Sequence, residues 1–150
     1  MLTIREALSI GELIHSKVIA GSSGLDREIK SVTIMDIPDI ADWLSGGELV
    51  MAGVLFQQCF SKILIDGLMK KSVAGMVTKR KFTRQIPVEL FQYCDEIGFP
   101  VIVAPADCNW GQIMNPIIKQ IVREPFLIIA EEERFHDTLM RAMIEGVSLS

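Results

Sequence analysis

The chain has 150 residues, 49% of them hydrophobic and 23% charged, with a formal net charge of -4 and a mean hydropathy of +0.35. That length suits one domain, which buries roughly 68–70% of the surface its unfolded chain exposes and so needs neither disulfides nor a metal to hold a core. The hydrophobicity excludes a disordered chain, and apolar runs as short as residues 101–106 and 126–130 exclude a membrane span.

The N-terminus carries Arg5 and Glu6 and no apolar signal core, so no export is expected. Cys59, Cys94 and Cys108 are odd in number and widely spaced, without a C-x-x-C, as buried thiols of a reducing cytoplasm would be.

Thr3-x-x-Glu6 is a capping box and predicts a short helix carrying Ile4, Ala7 and Leu8. Residues 17–20 and 29–35 are short β-rich runs, the second with the alternation of a half-buried strand at Val32, Thr33 and Ile34. Pro38 opens a single helical turn through Leu44, with Asp39 and Asp42 near its positive end and Gly46-Gly47 as its stop. Residues 49–54 then form an apolar strand, and residues 57–72 a helix with Phe60, Ile63, Leu64 and Leu68 on one face. Residues 73–78 form a second strand. Residues 87–97 form a helix with the stripe Leu90, Phe91, Cys94 and Ile97, stopped by Gly98 and Pro100, and residues 100–104 form a third strand. Continuous apolar strands separated by amphipathic helices describe an α/β fold: a mostly parallel sheet with helices on both faces.

The last third is helical. Trp110, Ile113, Met114, Ile117, Ile118, Ile121 and Val122 follow a helical stripe, in which Pro116 predicts a kink or a start capped by Asn115. Pro125 is expected to begin a further helix, with Phe135, Leu139, Ala142 and Gly146 on one face. This pattern still runs at Ser150, which predicts a piece of a longer protein, a homodimer through residues 126–147, or both.

Charge is unevenly spread. Residues 61–90 hold 7 basic and 2 acidic side chains, centred on Lys79-Arg80-Lys81 and Arg84, between two acidic flanks. A sequence pI near 5.2 opposes a dedicated nucleic-acid module, although direct DNA binding through residues 79–84 is one reading of that loop. No nucleophile elbow, zinc-protease, phosphate-loop or dinucleotide motif is present, so neither an enzyme nor a cofactor is expected; a small-molecule-binding enzyme fragment is the competing reading. His15 and His136 are isolated. Asp36, Asp39 and Asp42 share a spacing that suits a hard cation, but capping and helix-dipole complementarity already account for them. No metal site is expected.

In an open parallel sheet, ligands bind outside the carboxyl ends of the strands. Those ends carry Gln57 and Gln58, then Thr78, Lys79 and Arg80, then Asp107, Asn109 and Trp110. Amides, cations and an indole brought to one edge suit a small polar or anionic effector, such as a flat heterocycle or a ureide.

Three blocks carry a resemblance: Gly21-x-x-Gly24-Leu25-Asp26-Arg27-x-Ile29; Ile37-Pro38-Asp39 with Trp43-Leu44-x-Gly46-Gly47-Glu48-Leu49-Val50; and Ile86-Pro87-x-x-Leu90 with Gly98-Phe99-Pro100-Val101-Ile102. Over about residues 3–124 the chain resembles the N-terminal domain of PucR-like purine catabolism regulators, which are bacterial transcription regulators. The resemblance implies a regulatory domain over residues 1–124 and the start of a linker or dimerisation helix over 125–150. It also implies DNA binding by a C-terminal helix-turn-helix outside this chain. The chain has Lys79-Arg80 where the family tends to carry Gly-Arg, and Met51-Ala52-Gly53 for a frequent Thr-Thr-Gly. Within the motif, Trp43 is expected to be buried, and Glu48 is expected to accept hydrogen bonds from the glycine-rich turn, since a buried acid needs partners.

Overall fold

The computed structural model describes residues 1–132, with side chains through Arg123. In chain order the elements are β1 (Leu2–Thr3), α1 (Ile4–Ala7), β2 (Lys17–Ala20), β3 (Glu28–Ile29), β4 (Ser31–Ile34), β5 (Glu48–Met51) and α2 (Val54–Cys59). They continue with α3 (Lys62–Lys70), β6 (Gly75–Lys79), α4 (Arg80–Thr83), α5 (Val88–Ile97), β7 (Val101–Ala104) and α6 (Trp110–Glu132). Short 3-10 turns lie at Gly11–His15, Ser22–Gly24 and Ile40–Trp43.

Five strands form the main sheet in the order β2-β7-β6-β5-β4. The four from β4 to β7 are parallel, with Ser31 opposite Glu48, Val50 opposite Met76 and Val77 opposite Ile102, while β2 runs antiparallel beside β7. This is the expected α/β fold with a mostly parallel sheet. Every residue of β5 is buried: Leu49, Val50 and Met51 as an apolar run between two covering layers requires, and Glu48 at the strand's start as a buried acid.

The parallel strands lie side by side in chain order, so each crossover steps the same way. Right-handed crossovers then place all intervening helices on one face. That face packs Phe56, Ile65, Leu68 and Cys94 against Val50, Met76 and Val101. The other face would be bare, and the two ends of the described chain cover it: Ile4, Leu13, Ile113 and Ile117 pack on Leu49, Met51, Val77 and Ile102.

Several local expectations are corrected. The helix expected over residues 57–72 is two helices, because the Ser61 hydroxyl accepts the Leu64 amide proton at 3.2 Å and so caps a new start. Restarting there turns Ile63 outward, 86% exposed, and buries Ile65 instead. The strand expected over residues 49–54 ends at Met51, and Val54 already begins α2. The run over residues 29–35 breaks into β3 and β4, and Ile34 on that edge strand is exposed. Trp43 is not buried but 74% exposed, since the turn that carries it buries Ile40 instead.

Neither proline interrupts the last helix. α6 starts at Trp110 and runs through Pro116 and Pro125. Its start is fixed by Asn109, whose Oδ1 accepts the Gln112 amide proton while its own amide donates to Gln112 Oε1, both at 2.8 Å. The expectations for Phe135, Leu139, Ala142 and Gly146 lie outside the described residues.

Burial pushes the Cys94 thiol from its ordinary 9.0 to about 12. Below pH 9 the thiol is neutral whether the chain is folded or not; above it the unfolded chain ionises first, and stability is lost as pH rises toward 12. Urea midpoints at about pH 8 and about pH 11 should therefore differ less in Cys94→Ala than in the parent chain.

Candidate functional site

After β6 the chain enters α4, whose Phe82 packs with the crossover layer. After β7 it crosses to the opposite layer, where α6 begins at Trp110. Two neighbouring parallel strands whose continuations leave to opposite faces open a crevice at their carboxyl ends, the usual ligand position in open α/β sheets. Here that crevice measures about 380 Å³ and is lined by Gly53 and Val54, by Lys79, Lys81 and Phe82, and by Asn109 and Trp110.

Lys79 is its best-anchored cation. Its Nζ donates to the carbonyls of Ala106, at 3.2 Å, and of Cys108, and lies 5.3 Å from the centre of the Trp110 ring. These contacts hold the loop after β7 against the end of β6. Lys81 Nζ lies 5.1 Å from the Phe82 ring centre. Cys108 sits beneath this loop, buried, with Sγ donating to the Pro105 carbonyl at 3.2 Å. Burial raises its thiol pKa and the Lys79 charge partly opposes that, so the thiol stays protonated near neutral pH. Two cations, two aromatic rings and an amide thus line the crevice. Among the described residues, no three His, Cys, Asp or Glu side chains are placed to hold a metal ion.

Of the residues expected at this edge, Lys79, Asn109 and Trp110 line the crevice. Arg80 is exposed at the start of α4, where its carbonyl accepts the Thr83 hydroxyl at 2.8 Å. Gln57 and Gln58 lie exposed on α2, and Gln57 reaches Gln85 at 3.5 Å. Asp107 is exposed in the loop before α6. Thr78 is fully buried, and its hydroxyl has no hydrogen-bond partner among the described residues. Lys81, part of the basic run expected at this edge, lines it too, while Gly53, Val54 and Phe82 are additions: a glycine carries no chemical signal, and Val54 and Phe82 read as core.

The motif residues gather at the other end of the sheet. Glu48 Oε1 accepts the Gly46 amide proton at 2.9 Å; its Oε2 accepts the Ser45 amide proton at 2.9 Å and the Ser45 hydroxyl at 3.3 Å. Gly46 and Gly47 hold φ of 119° and 80°, the left-handed region that favours glycine. The Arg27 guanidinium donates to the carbonyls of Val73 at 2.6 Å and Ala74 at 3.2 Å, tying the start of β6 to the segment before β3. Burial lowers the Arg27 pKa, but a guanidinium stays charged across the physiological range. Gly24 packs against Gly98, the Leu25 carbonyl accepts the Arg5 amide proton at 2.8 Å, and Asp26 pairs with Arg5 at 3.0 Å on the surface. A 520 Å³ hollow opens among Arg27, Lys30, Gly46, Gly47 and Ser72, and beside it the Arg27 guanidinium and the Glu48 carboxylate are committed to clamping the backbone.

Residues 6–121 match the model of the purine catabolism regulatory protein-like family, PucR. The chain is 30% identical over 125 residues to the purine catabolism regulatory protein of Bacillus subtilis strain 168, which covers 81% of this chain and 24% of that protein. It thus spans about a quarter of the length of this curated relative. No solved structure matches it. A family model that takes in strands β2 to β7, together with all three motif blocks and the crevice, shows that the chain belongs to the purine catabolism regulatory protein-like family.

Proposed function

We propose that this chain is the regulatory domain of a bacterial transcription regulator of purine or related nitrogen-compound catabolism. It senses a small polar or anionic effector in the crevice between the ends of β6 and β7, binding it without turnover. The observation that carries the reading is the crevice itself: it lies where the sheet topology concentrates ligand sites, and it is lined by lysines and aromatic rings. Its back wall is the first turn of α6, the helix that leads out of the domain, so an occupant touches the segment through which a signal leaves. DNA is contacted by a helix-turn-helix outside this chain, residues 126–147 pair two copies, and the protein works in the cytoplasm. Among the described residues, no helix is long and apolar enough to cross a membrane.

The test is a calorimetric titration of the chain with a panel of purines and ureides, followed by chromatography of each mixture. At least one member should bind and be recovered unchanged, while sedimentation should show a dimer that becomes monomeric when residues 126–150 are removed. Conversion of any bound member, or no binding across the panel, would overturn the sensing role.

A further inference from the structure

We propose that the crevice over Gly53 selects a flat ring carrying negative charge, a heterocycle that is an anion at neutral pH. This names the ligand class of the effector site above and rests on that reading. Phe82 comes from one covering layer and Trp110 from the other, and they meet over the sheet edge. A methyl-sized atom on Gly53 would lie 3.6 and 3.7 Å from two Phe82 ring carbons and 3.8 Å from a Trp110 ring carbon. Two rings thus come within van der Waals reach of one spot whose floor has no side chain. An aliphatic occupant forgoes what such walls offer; a planar one stacks on them.

Charge decides the second half of the selection. Each ring carries its own ammonium, Lys79 at 5.3 Å and Lys81 at 5.1 Å, and among the described residues no acidic side chain lines the crevice. The site is therefore locally cationic on a chain of net charge -4. Lys79 has three N–H donors and commits two to Ala106 and Cys108, so its position is set while one donor remains for an occupant. About 380 Å³ suits one or two fused rings and falls short of a polymer. An open-chain anion meets the charge without the stacking, and a neutral heterocycle stacks without the charge.

The probes are urate, which is flat and anionic, hypoxanthine, flat and neutral, and allantoate, an anionic open-chain ureide. Calorimetry on the intact chain should show urate binding at least about tenfold more tightly than either of the others, the margin that one charge-assisted bond supplies over hypoxanthine and one ring stack over allantoate. Phe82→Leu and Lys81→Gln should each weaken urate by about tenfold, and Lys79→Met by about 10- to 100-fold. Lys79→Met leaves two carbonyls without a donor; Lys81→Gln alters an exposed side chain and keeps the test valid if the former misfolds. Arg80→Gln, one residue away but outside the crevice, should leave binding unchanged. Equal affinity for hypoxanthine or allantoate, no urate binding, or equal losses from Arg80→Gln and Lys81→Gln would overturn the proposal. If another panel member binds without turnover, the ligand class falls and the sensing role stands. Urate bound in the crevice but converted has the reverse meaning.

Discussion

Replacing Gly24 by alanine is expected to remove about 3 kcal/mol or more of folding stability, at the upper end of what overpacking does. A Cβ on Gly24 would sit 1.9 Å from the Gly98 carbonyl oxygen and 2.8 Å from its carbon, and both are backbone atoms that cannot rotate aside. Relief requires the turn at Ser22–Gly24 to separate from the end of α5, and Phe99, fully buried, follows immediately. Since domains of this kind are held by about 5–15 kcal/mol, a large share of the total is at stake. Urea unfolding monitored by circular dichroism measures it. The midpoint should drop sharply, whereas Ser22→Ala, at an exposed position of the same turn, should shift stability by no more than about 0.5 kcal/mol. A midpoint for Gly24→Ala within error of the parent chain would show that the two segments are not in contact.

Glu48→Ala should lose about 3 kcal/mol by a different route. The carboxylate is 6% exposed and accepts three hydrogen bonds from Ser45 and Gly46. Removing it leaves two amides near the protein interior without an acceptor, and charge-assisted bonds of this kind contribute roughly 1.5–3 kcal/mol each, less what water recovers at the turn. Glu48→Gln should be intermediate, because one amide oxygen still accepts while the amide nitrogen meets an N–H. The turn also presents the Gly47 carbonyl to the Lys30 amide at 2.7 Å, so its loosening should be felt in β4. At temperatures where both variants remain folded, urate affinity should be unchanged, since this carboxylate lies at the opposite end of the sheet from the crevice. A selective loss of ligand binding with normal stability would instead make Glu48 part of a ligand site.

The central strands were legible because their burial is written in composition: Leu49, Val50 and Met51, or Val101 and Ile102, have no polar alternation to place them anywhere but between two layers. The edges were not. Nothing local in Lys17–Ala20 specifies an antiparallel partner some way along the chain, and Val32 and Ile34 alternate without revealing which side is bare. The break at Ser61 was readable in principle, as a serine three residues before Leu64, but the surrounding apolar periodicity masked it. The residue type of Trp43 suits the interior, and type alone does not say whether a partner exists. Pro116 misled through its local rule: the helix accepts a missing N–H there because Ile113 and Ile117 on either side are fully buried and hold the turn by packing. At the crevice, the topological rule sufficed to bring Lys79, Asn109 and Trp110 together. Gly53 and Phe82 join them through the packing of the two covering layers, which no local pattern encodes.

The antiparallel placement of β2 has a consequence for the order in which a growing polypeptide can organise itself. Strands β4 to β7 are neighbours in the order of synthesis, so each can dock on its predecessor as it emerges. Lys17 and Val18, made long before, pair with Val103 and Ile102, and Gly21 receives its side-chain acceptor from Asp95, with 2.7 Å between the amide nitrogen and the carboxylate oxygen. The opening segment therefore leaves the ribosome early and waits, with Ala20 and Leu13 uncovered, until Ala104 is out. Its docking, together with the arrival of α6, is what finally seals the second face of the sheet.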